Sequence, residues 1–331
     1  MRLENLLALT GATLVNEPCV NSFENIIFDA SRLKRGDLYI AFDNLEIELA
    51  VANGAYGIIY DEQIDIIDEE IAWIKVKDVR EALDKLLRFR LIESDIVAYE
   101  CDEIVLKLAK QIPTDSNFLV LNTDIKKIFK QLWEIENRST VLFCPDIHNK
   151  NIFTNIKTIN SASKEHIDII EQTLFETSFI YNNKYYERQL ISPFFMPYLE
   201  ELLHLYSSLH INYRLRKFSS IDNFEAIFTN KNLEIKDFGA SDKVLIFEKN
   251  SSLIHKEIEF LQRNASWANI IYIIPSKIDI NNNTNIFKYE NNEEILDILK
   301  KNKFHFALVA GVDKSILNNT SVKQTQLLFD I

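Results

Sequence analysis

Residues 30–42 decide the fold, and they read Ala30-Ser31-Arg32-Leu33-Lys34-Arg35-Gly36-Asp37-Leu38-Tyr39-Ile40-Ala41-Phe42. The part that ends in Gly36-Asp37 is polar and basic, which is typical of a turn. The part that follows is apolar and rich in aromatic and branched side chains, which predicts a buried strand. A second stretch, Ala52-Asn53-Gly54-Ala55-Tyr56-Gly57-Ile58-Ile59, places a glycine-capped helix end before another strand. Both stretches predict an α/β domain.

The same alternation of strands and helices continues along the chain and predicts an α/β protein. Helices are expected over residues 95–112, as a linker, and over residues 165–175, and the Asn-rich stretch 281–285 is expected to be a loop. The C-terminal region predicts a small βαβαβ unit with a parallel sheet. The predicted domains are a small N-terminal α/β domain (1–92), a central α/β domain that includes the helical linker (93–240) and a short Rossmann-like domain (241–331).

Composition and charge exclude several classes of protein. The chain has 331 residues and a net charge of −12, whereas nucleic acids and anionic membrane surfaces attract cationic proteins. No apolar run is long enough for a membrane-spanning helix, and the N-terminus does not resemble a secretion signal. The three cysteines are far apart and include no CxxC pair, which fits a reducing compartment and argues against structural zinc. We therefore expect a cytoplasmic protein.

The two quoted stretches resemble the N-terminal domain of the Mur ligases, the ATP-dependent amide ligases of peptidoglycan precursor synthesis. The resemblance is to the type that joins a muramoyl tripeptide to D-Ala-D-Ala, and the order of the elements agrees over about 60 residues. It implies that this domain holds the UDP part of a sugar-peptide precursor, with Ser31 and Arg32 as contacts. A hydroxyl, a guanidinium fork and turn amides suit a diphosphate or a uracil edge. The alternative is that Ser31 and Arg32 only complete a turn between two strands.

The chain departs from the family directly after Phe42. There Asp43-Asn44-Leu45-Glu46 leads almost at once into a helix, whereas the family has a longer loop that contains glycine. The missing loop weakens the expectation of UDP binding.

A second departure concerns the glycine-rich phosphate loop of the central domain. The matching strand–turn–helix, residues 118–129, contains no glycine, and none occurs between Gly57 and Gly239. Such a loop needs glycine because its backbone takes positive φ angles while its amides wrap the phosphates. Thr123 and Lys126 occupy this degenerate position. We therefore expect no cofactor. ATP and Mg²⁺ would be expected only if the nucleotide site has diverged and still binds them.

A short segment at the end of a predicted strand contains Cys144, Asp146 and His148, which are residue types that ligate metals. Cys144 would also be a nucleophile if a base were positioned beside it. An ordinary turn explains them equally, and we expect no metal site and no catalytic residue. Lys243–Phe247 followed by His255 resembles the start of the family's third domain. His255 is interpreted as a helix-face residue.

Two further stretches are unusual. Residues 185–198 mix aromatic side chains, an ion pair and two prolines, and they predict either an inter-domain core or a binding groove. A local basic patch, Arg214, Arg216 and Lys217, is either a solvated face or a site for a phosphate or carboxylate.

Three functions stay open at this point. The first is a non-catalytic Mur-ligase-like protein that binds a UDP-muramyl peptide or cell-wall synthesis proteins as a regulator or scaffold. The second is an active ATP-dependent acid–amino-acid ligase with a divergent nucleotide site. The third is a protein-interaction module without a ligand. ATP binding separates the second from the others, and precursor binding separates the first from the third.

Overall fold

The chain forms two compact units, residues 1–106 with 114–159, and residues 107–113 with 160–331. The structure is a computed structural model, and the residues that it describes are 1–115, 117–159, 165–237, 241–280 and 285–317. Within these residues, no helix has the length and apolar character needed to cross a bilayer.

The helices and strands of the N-terminal part alternate. The helices are α1 (Leu3–Thr10), α2 (Ile47–Ala52), α3 (Val79–Leu91), α4 (Glu103–Ala109) and α5 (Ile125–Trp133). The strands are β1 (Thr13–Leu14), β2 (Ile26–Ile27), β3 (Leu38–Ile40), β4 (Gly57–Tyr60), β5 (Ala72–Lys75), β6 (Val97–Glu100), β7 (Phe118–Val120), β8 (Thr140–Phe143) and β9 (Ile156–Thr158).

The first unit contains two sheets. One has the order β1-β5-β4-β3-β2, with β2 to β5 parallel and β1 antiparallel at the edge; the other has the order β7-β8-β6-β9 and is fully parallel. Strands β3 and β4 are buried along their whole length, as expected of parallel strands covered on both faces. One hydrophobic core joins both sheets, and α3 and α5 contribute to it.

Helix α3 shows how the local sequence forms these elements. Its buried residues are Val79, Ala82, Leu83, Leu86, Leu87 and Leu91, which recur at helical spacing along one face. The Asp78 carboxylate accepts the Glu81 N–H at 2.7 Å and so satisfies a first-turn amide that has no intrahelical partner. Burial of this apolar face contributes about 1.5–3 kcal/mol for each fully buried leucine or valine.

The second unit also contains two sheets. Its strands are β10 (Asp168–Gln172), β11 (Thr177–Tyr181), β12 (Lys184–Gln189), β13 (Glu225–Thr229), β14 (Lys243–Glu248), β15 (Ile270–Pro275), β16 (Ile286–Tyr289) and β17 (Phe306–Ala310). Its helices are α6 (Met196–Ser208), α7 (Ile254–Asn264) and α8 (Asn292–Lys301). Strands β10 to β12 form an antiparallel sheet, and the other sheet has the order β13-β14-β17-β15-β16. Its last four strands are parallel, which confirms the parallel sheet of the predicted C-terminal βαβαβ unit. Strand β16 is an additional strand that the prediction did not include.

The structure confirms the α/β class and corrects two helix predictions. The expected helix over residues 165–175 is wrong, because β10 pairs there with β11 in a hairpin. Its isoleucines fit either period, and pairing with the branched and aromatic residues of β11 favours the strand. The expected helical linker over residues 95–112 is half wrong. Strand β6 occupies its first part, hydrogen-bonded on both sides, and only α4 is helical.

The expected domain boundaries near residues 92 and 240 stay predictions. Residues 238–240, at the second boundary, lie outside the described residues, as do residues 281–284 of the expected Asn-rich loop.

Candidate functional site

The Ser31–Arg32 turn is organised by an acidic residue that precedes it. Asp29 caps a short 3-10 turn, and its Oδ1 accepts the Ser31 N–H at 3.0 Å and the Ser31 hydroxyl at 2.6 Å. The Arg32 Nε lies 3.3 Å from Asp29 Oδ2, although the Arg32 side chain is 81% exposed. The Ser31 hydroxyl is the main cause that lowers the pKa of Asp29, and Arg32 and Lys126 add smaller effects. The hydroxyl and the guanidinium therefore already contact an internal anion.

Helix α2 holds the same turn from its other side. The Glu46 Oε2 accepts the Ala30 N–H at 3.3 Å and the Tyr39 hydroxyl at 3.2 Å, and the Asn53 amide donates to the Ala30 carbonyl at 2.8 Å. Burial, together with the Glu46 charge, raises the pKa of Tyr39. The shortened connection after Phe42 thus brings α2 directly against the turn.

The basic turn that contains Lys34 and Arg35 is stabilised by a buried carboxylate, that of Asp37. Asp37 is 1% exposed, and its two oxygens accept the Lys34 N–H at 2.9 Å and the Asn25 amide at 2.7 Å. Gly36 before it has a φ of 101°, a value that favours glycine. The Gly-Asp pair of the motif therefore has a structural role in this chain.

Lys126 lies close to the Ser31–Arg32 turn, although the two are far apart in sequence. Its ammonium lies 5.6 Å from the centre of the Phe42 ring, and its charge contributes to the lowered pKa of Asp29. The Lys126 charge therefore acts on the same carboxylate that Ser31 and Arg32 contact. Thr123 is exposed on the turn before α5.

The turn before α5 presents few amides to a ligand. The Asn122 Oδ1 accepts the N–H groups of Thr123, at 2.9 Å, and of Asp124, at 3.1 Å. Asp124 in turn caps α5 by accepting the Lys127 N–H at 3.0 Å. Phosphate loops bind through such backbone donors, and here side-chain oxygens of the chain itself occupy them.

In the four-stranded sheet of the first unit, the inner strand β6 is followed by a very short connection. In open parallel sheets, ligands bind at the carboxyl ends of the strands, at the topological switch point where the strand order reverses. In this sheet the switch point lies between β8 and β6. Strand β6 ends at Glu100 and α4 begins at Glu103, so only Cys101 and Asp102 connect them. The Cys101 N–H and thiol both donate to the Phe143 carbonyl, at 2.9 and 3.3 Å, which ties this connection to β8.

The His148 ring is hydrogen-bonded to the backbone at the carboxyl ends of β7 and β8. Its Nδ1 accepts the Cys144 N–H at 3.0 Å, and its Nε2 lies 2.5 Å from the Asn122 carbonyl oxygen. The Cys144 carbonyl, 3.1 Å from Nδ1, already accepts the His148 N–H. Because a backbone N–H can only donate, we assign Nδ1 as the acceptor and Nε2–H as the donor to Asn122. The buried ring therefore links the end of β8 to the end of β7.

These contacts favour a structural role for the Cys144–His148 turn. Both nitrogens of His148 are hydrogen-bonded to the backbone, and Cys144 is fully buried. Among the described residues, no group of three or more His, Cys, Asp and Glu side chains is placed to hold a metal. Burial raises the pKa of the Cys144 thiol, which opposes formation of the nucleophilic thiolate.

Thiol labelling tests this interpretation. Cys19 is exposed, whereas Cys101 and Cys144 are buried. We expect iodoacetamide at neutral pH to modify Cys19 quickly and the other two only after denaturation, as read by mass spectrometry of peptides. Cys19→Ser is the matched control, in which the native protein should take up almost no label. Fast native labelling of Cys144 would restore it as a nucleophile.

The other candidate residues of the sequence belong to the second unit. His255 is exposed near the start of α7, as interpreted. The basic residues Arg214, Arg216 and Lys217 are exposed on an irregular segment and not on a strand. Of the 185–198 stretch, Phe194 is buried in an aromatic cluster of the second unit with Phe195, Tyr198, Phe224 and Phe260.

A buried carboxyl pair in the second unit has no signal in the sequence. Glu248, at the end of β14, accepts the Asn223 amide at 3.0 Å and the backbone N–H groups of Phe224 and Asn250 at 3.0 and 2.6 Å. Glu257, in the first turn of α7, is fully buried, and both of its carboxyl oxygens lack a donor. Burial, followed by the Glu248 charge, raises the pKa of Glu257 well above its usual value.

Solved structures that are similar to this chain include MurF ligases. A MurF from Acinetobacter baumannii aligns over 98% of this chain and 98% of its own, with 10% identity and a TM-score of 0.52. A structure of UDP-N-acetylmuramoylalanyl-D-glutamyl-2,6-diaminopimelate–D-alanyl-D-alanyl ligase from the same organism shows 11% identity over 98% of each chain, with a TM-score of 0.49. A MurF ligase from Thermotoga maritima in complex with ADP shows 12% identity over 92% of this chain and 97% of its own, with a TM-score of 0.46.

No protein-family profile and no curated protein sequence matches this chain. At 10% identity, the likeness to the Acinetobacter MurF establishes the fold alone. The chain therefore has a Mur-ligase-like α/β fold, and its activity has to be argued from its own residues.

Proposed function

We propose that this chain is a non-catalytic protein on the Mur ligase fold that binds a UDP-muramyl peptide and acts as a regulator or scaffold of peptidoglycan precursor synthesis in the cytoplasm. The single observation that carries the non-catalytic part is the connection between β6 and α4, where only Cys101 and Asp102 follow the central strand. Loops that cradle triphosphates are longer and contain glycine.

Charge at this strand end also opposes ATP. Glu100, Asp102 and Glu103 lie at or beside the connection, where an ATP-binding site would need donors and cations. The nearby turn before α5 contains Asp124, and its amides bond to its own side chains. The residues present therefore do not fit ATP and Mg²⁺, and no ligase step is derived through them.

The precursor-binding part rests on the cations of the first unit. Arg32 and Lys126 both act on Asp29, and Lys126 lies over the Phe42 ring. A diphosphate is a divalent anion that suits two convergent cations, and the ring offers an apolar surface beside them. Asp29 competes for the same groups, so precursor has to displace an internal contact.

Isothermal titration with a UDP-muramyl peptide tests this part. We expect a Kd in the micromolar range, about −8 kcal/mol at 1 μM. Arg32→Ala should weaken binding about tenfold through loss of a charge-assisted contact. Asp29→Asn keeps the cap oxygen but removes the competing charge, so it should strengthen binding. Arg263→Ala, which breaks a different exposed ion pair of an arginine with a carboxylate, is the matched control and should leave the affinity unchanged.

The second candidate function is an interaction module without a ligand. The observation in its favour is that Ser31 and Arg32 are already engaged by Asp29. Absence of binding to the wild type and to Asp29→Asn would favour it and contradict precursor binding.

A further inference from the structure

The second unit contains a cavity with aromatic walls. It has a volume of about 360 Å³ and is lined by Phe175, Phe228, Phe306 and Trp267 together with Leu174, Val244, Gln172, Thr173 and Asn264. Pockets of this size and larger hold small molecules in proteins. None of the lining residues carries a charge, although 26% of the chain is charged.

A second cavity of the same unit gives a contrast. It measures about 320 Å³, and its lining includes Glu225, Lys249, Asp313 and Lys314. Its lysines are paired: Lys249 lies 2.7 Å from Asp313, and Lys314 lies 2.7 Å from Glu225. That cavity satisfies its own charges, whereas the aromatic cavity offers apolar surface.

Two of the rings stand on turns that are held by hydrogen bonds to the backbone. Phe175 lies in the β10–β11 turn, where the Thr173 oxygen accepts the N–H groups of Phe175 and Glu176 at 3.2 and 3.0 Å. Trp267 lies in a turn closed by the Ala268 N–H and the Ala265 carbonyl at 2.9 Å. Preformed walls reduce the ordering cost of binding.

Aromatic contacts connect the walls. Phe175 meets Phe228 edge to face at 6.0 Å and lies 6.4 Å from Phe306, and Trp267 meets Phe306 edge to face at 5.9 Å. Trp267 nevertheless is 73% exposed at the mouth. A flat ring that enters can stack on it and remove its surface from water.

The position of the cavity separates it from the strand ends where α/β sheets bind ligands. Val244 and Phe306 belong to the amino-terminal ends of β14 and β17, whereas Glu248 marks the carboxyl end of β14. The argument for the cavity is thus independent of the function proposed above.

We propose that this cavity binds a small, uncharged aromatic molecule. Its walls favour ring stacking, and its rim of side-chain amides and the Thr173 hydroxyl offers hydrogen bonds to a ring heteroatom. A charged ligand is disfavoured, because no lining residue can pair with a buried ion. A free molecule is favoured over a side chain of a partner protein, since the site is a cavity framed by fixed turns.

Calorimetric titration of the full chain with matched probes tests the proposal. Indole should bind saturably, with a Kd of about 1 mM or tighter. Indole-3-acetate, an anion, and tryptamine, a cation, should each bind at least about tenfold more weakly because their charge has no partner. N-acetyltryptophanamide, which presents the ring as a peptide does, should also bind more weakly.

Variants locate the binding. Trp267→Ala should weaken indole binding about tenfold, as expected for an aromatic hot spot. Because the Trp267 ring is exposed, the variant should keep the fold of the wild type, and circular dichroism checks this. Tyr185→Ala removes another exposed aromatic ring, which lies outside the cavity, and should leave the affinity unchanged. The proposal is overturned by absent saturation with indole, by equal affinity for the charged probes, by unchanged binding to Trp267→Ala, or by tighter binding of the peptide analogue.

Discussion

Replacement of Trp73 with alanine is expected to lower the free energy of unfolding by about 3–5 kcal/mol, the range for a fully buried large aromatic residue. Trp73 lies in β5, is fully buried and meets the Tyr60 ring edge to face at 6.1 Å. Its Nε1 donates to the Asp68 carbonyl at 2.6 Å, so the substitution also leaves a backbone acceptor without this donor. Both effects act on the sheet that carries the Ser31–Arg32 turn.

Urea denaturation followed by circular dichroism measures this loss. The matched control is Trp267→Ala, whose ring is 73% exposed and which should change the free energy of unfolding by less than about 0.5 kcal/mol. Hydrogen exchange of the β3–β5 amides should show the loss in the first unit. Equal effects of the two substitutions would contradict the assigned core.

Stability is expected to fall as pH rises because of Glu257. Its pKa is raised in the folded protein, mainly by burial and then by the Glu248 charge, so the folded state keeps a proton that the unfolded state has released. The contribution is complete below the unfolded pKa, near 4.5, and is lost as pH rises toward the folded pKa. In this window the free energy of unfolding should fall by about 1.4 kcal/mol for each pH unit.

Glu257→Gln should remove this slope. Glutamine has nearly the same size and shape as glutamate but cannot ionise, so the variant should gain stability over the wild type with each pH unit above 5. Urea midpoints from pH 5 to 9 measure the difference. Glu259→Gln, on the same helix and exposed, is the control and should follow the wild type. Parallel curves for the wild type and Glu257→Gln would show that Glu257 is ionised when folded.

The sequence predicts much of the fold from local signals. Runs of apolar residues identify β3, β4, β8 and β14 because parallel strands are buried on both faces. Strands β6 and β10 are missed because short apolar runs fit a helix or a strand equally well. Hydrogen-bonded neighbours distant in sequence decide between them, as β8 and β9 do for β6.

The candidate site is predictable only in part. The motif identifies Ser31 and Arg32, and the Asp-x-Ser spacing offers a usable signal for Asp29, because an Asp side chain commonly accepts the N–H two residues later. The approach of Lys126 to this turn depends on tertiary packing. The same holds for the Glu248–Glu257 pair, whose two carboxyl groups belong to different elements, β14 and α7. These contacts have no local pattern.

The most direct test of the central claim is a calorimetric titration of the full chain with ATP and Mg²⁺. The two-residue connection after β6 and the occupied amides before α5 predict no saturable binding up to millimolar ATP, a Kd weaker than about 1 mM. Saturable micromolar binding that is lost in Lys126→Ala would contradict the account and restore a nucleotide-dependent ligase.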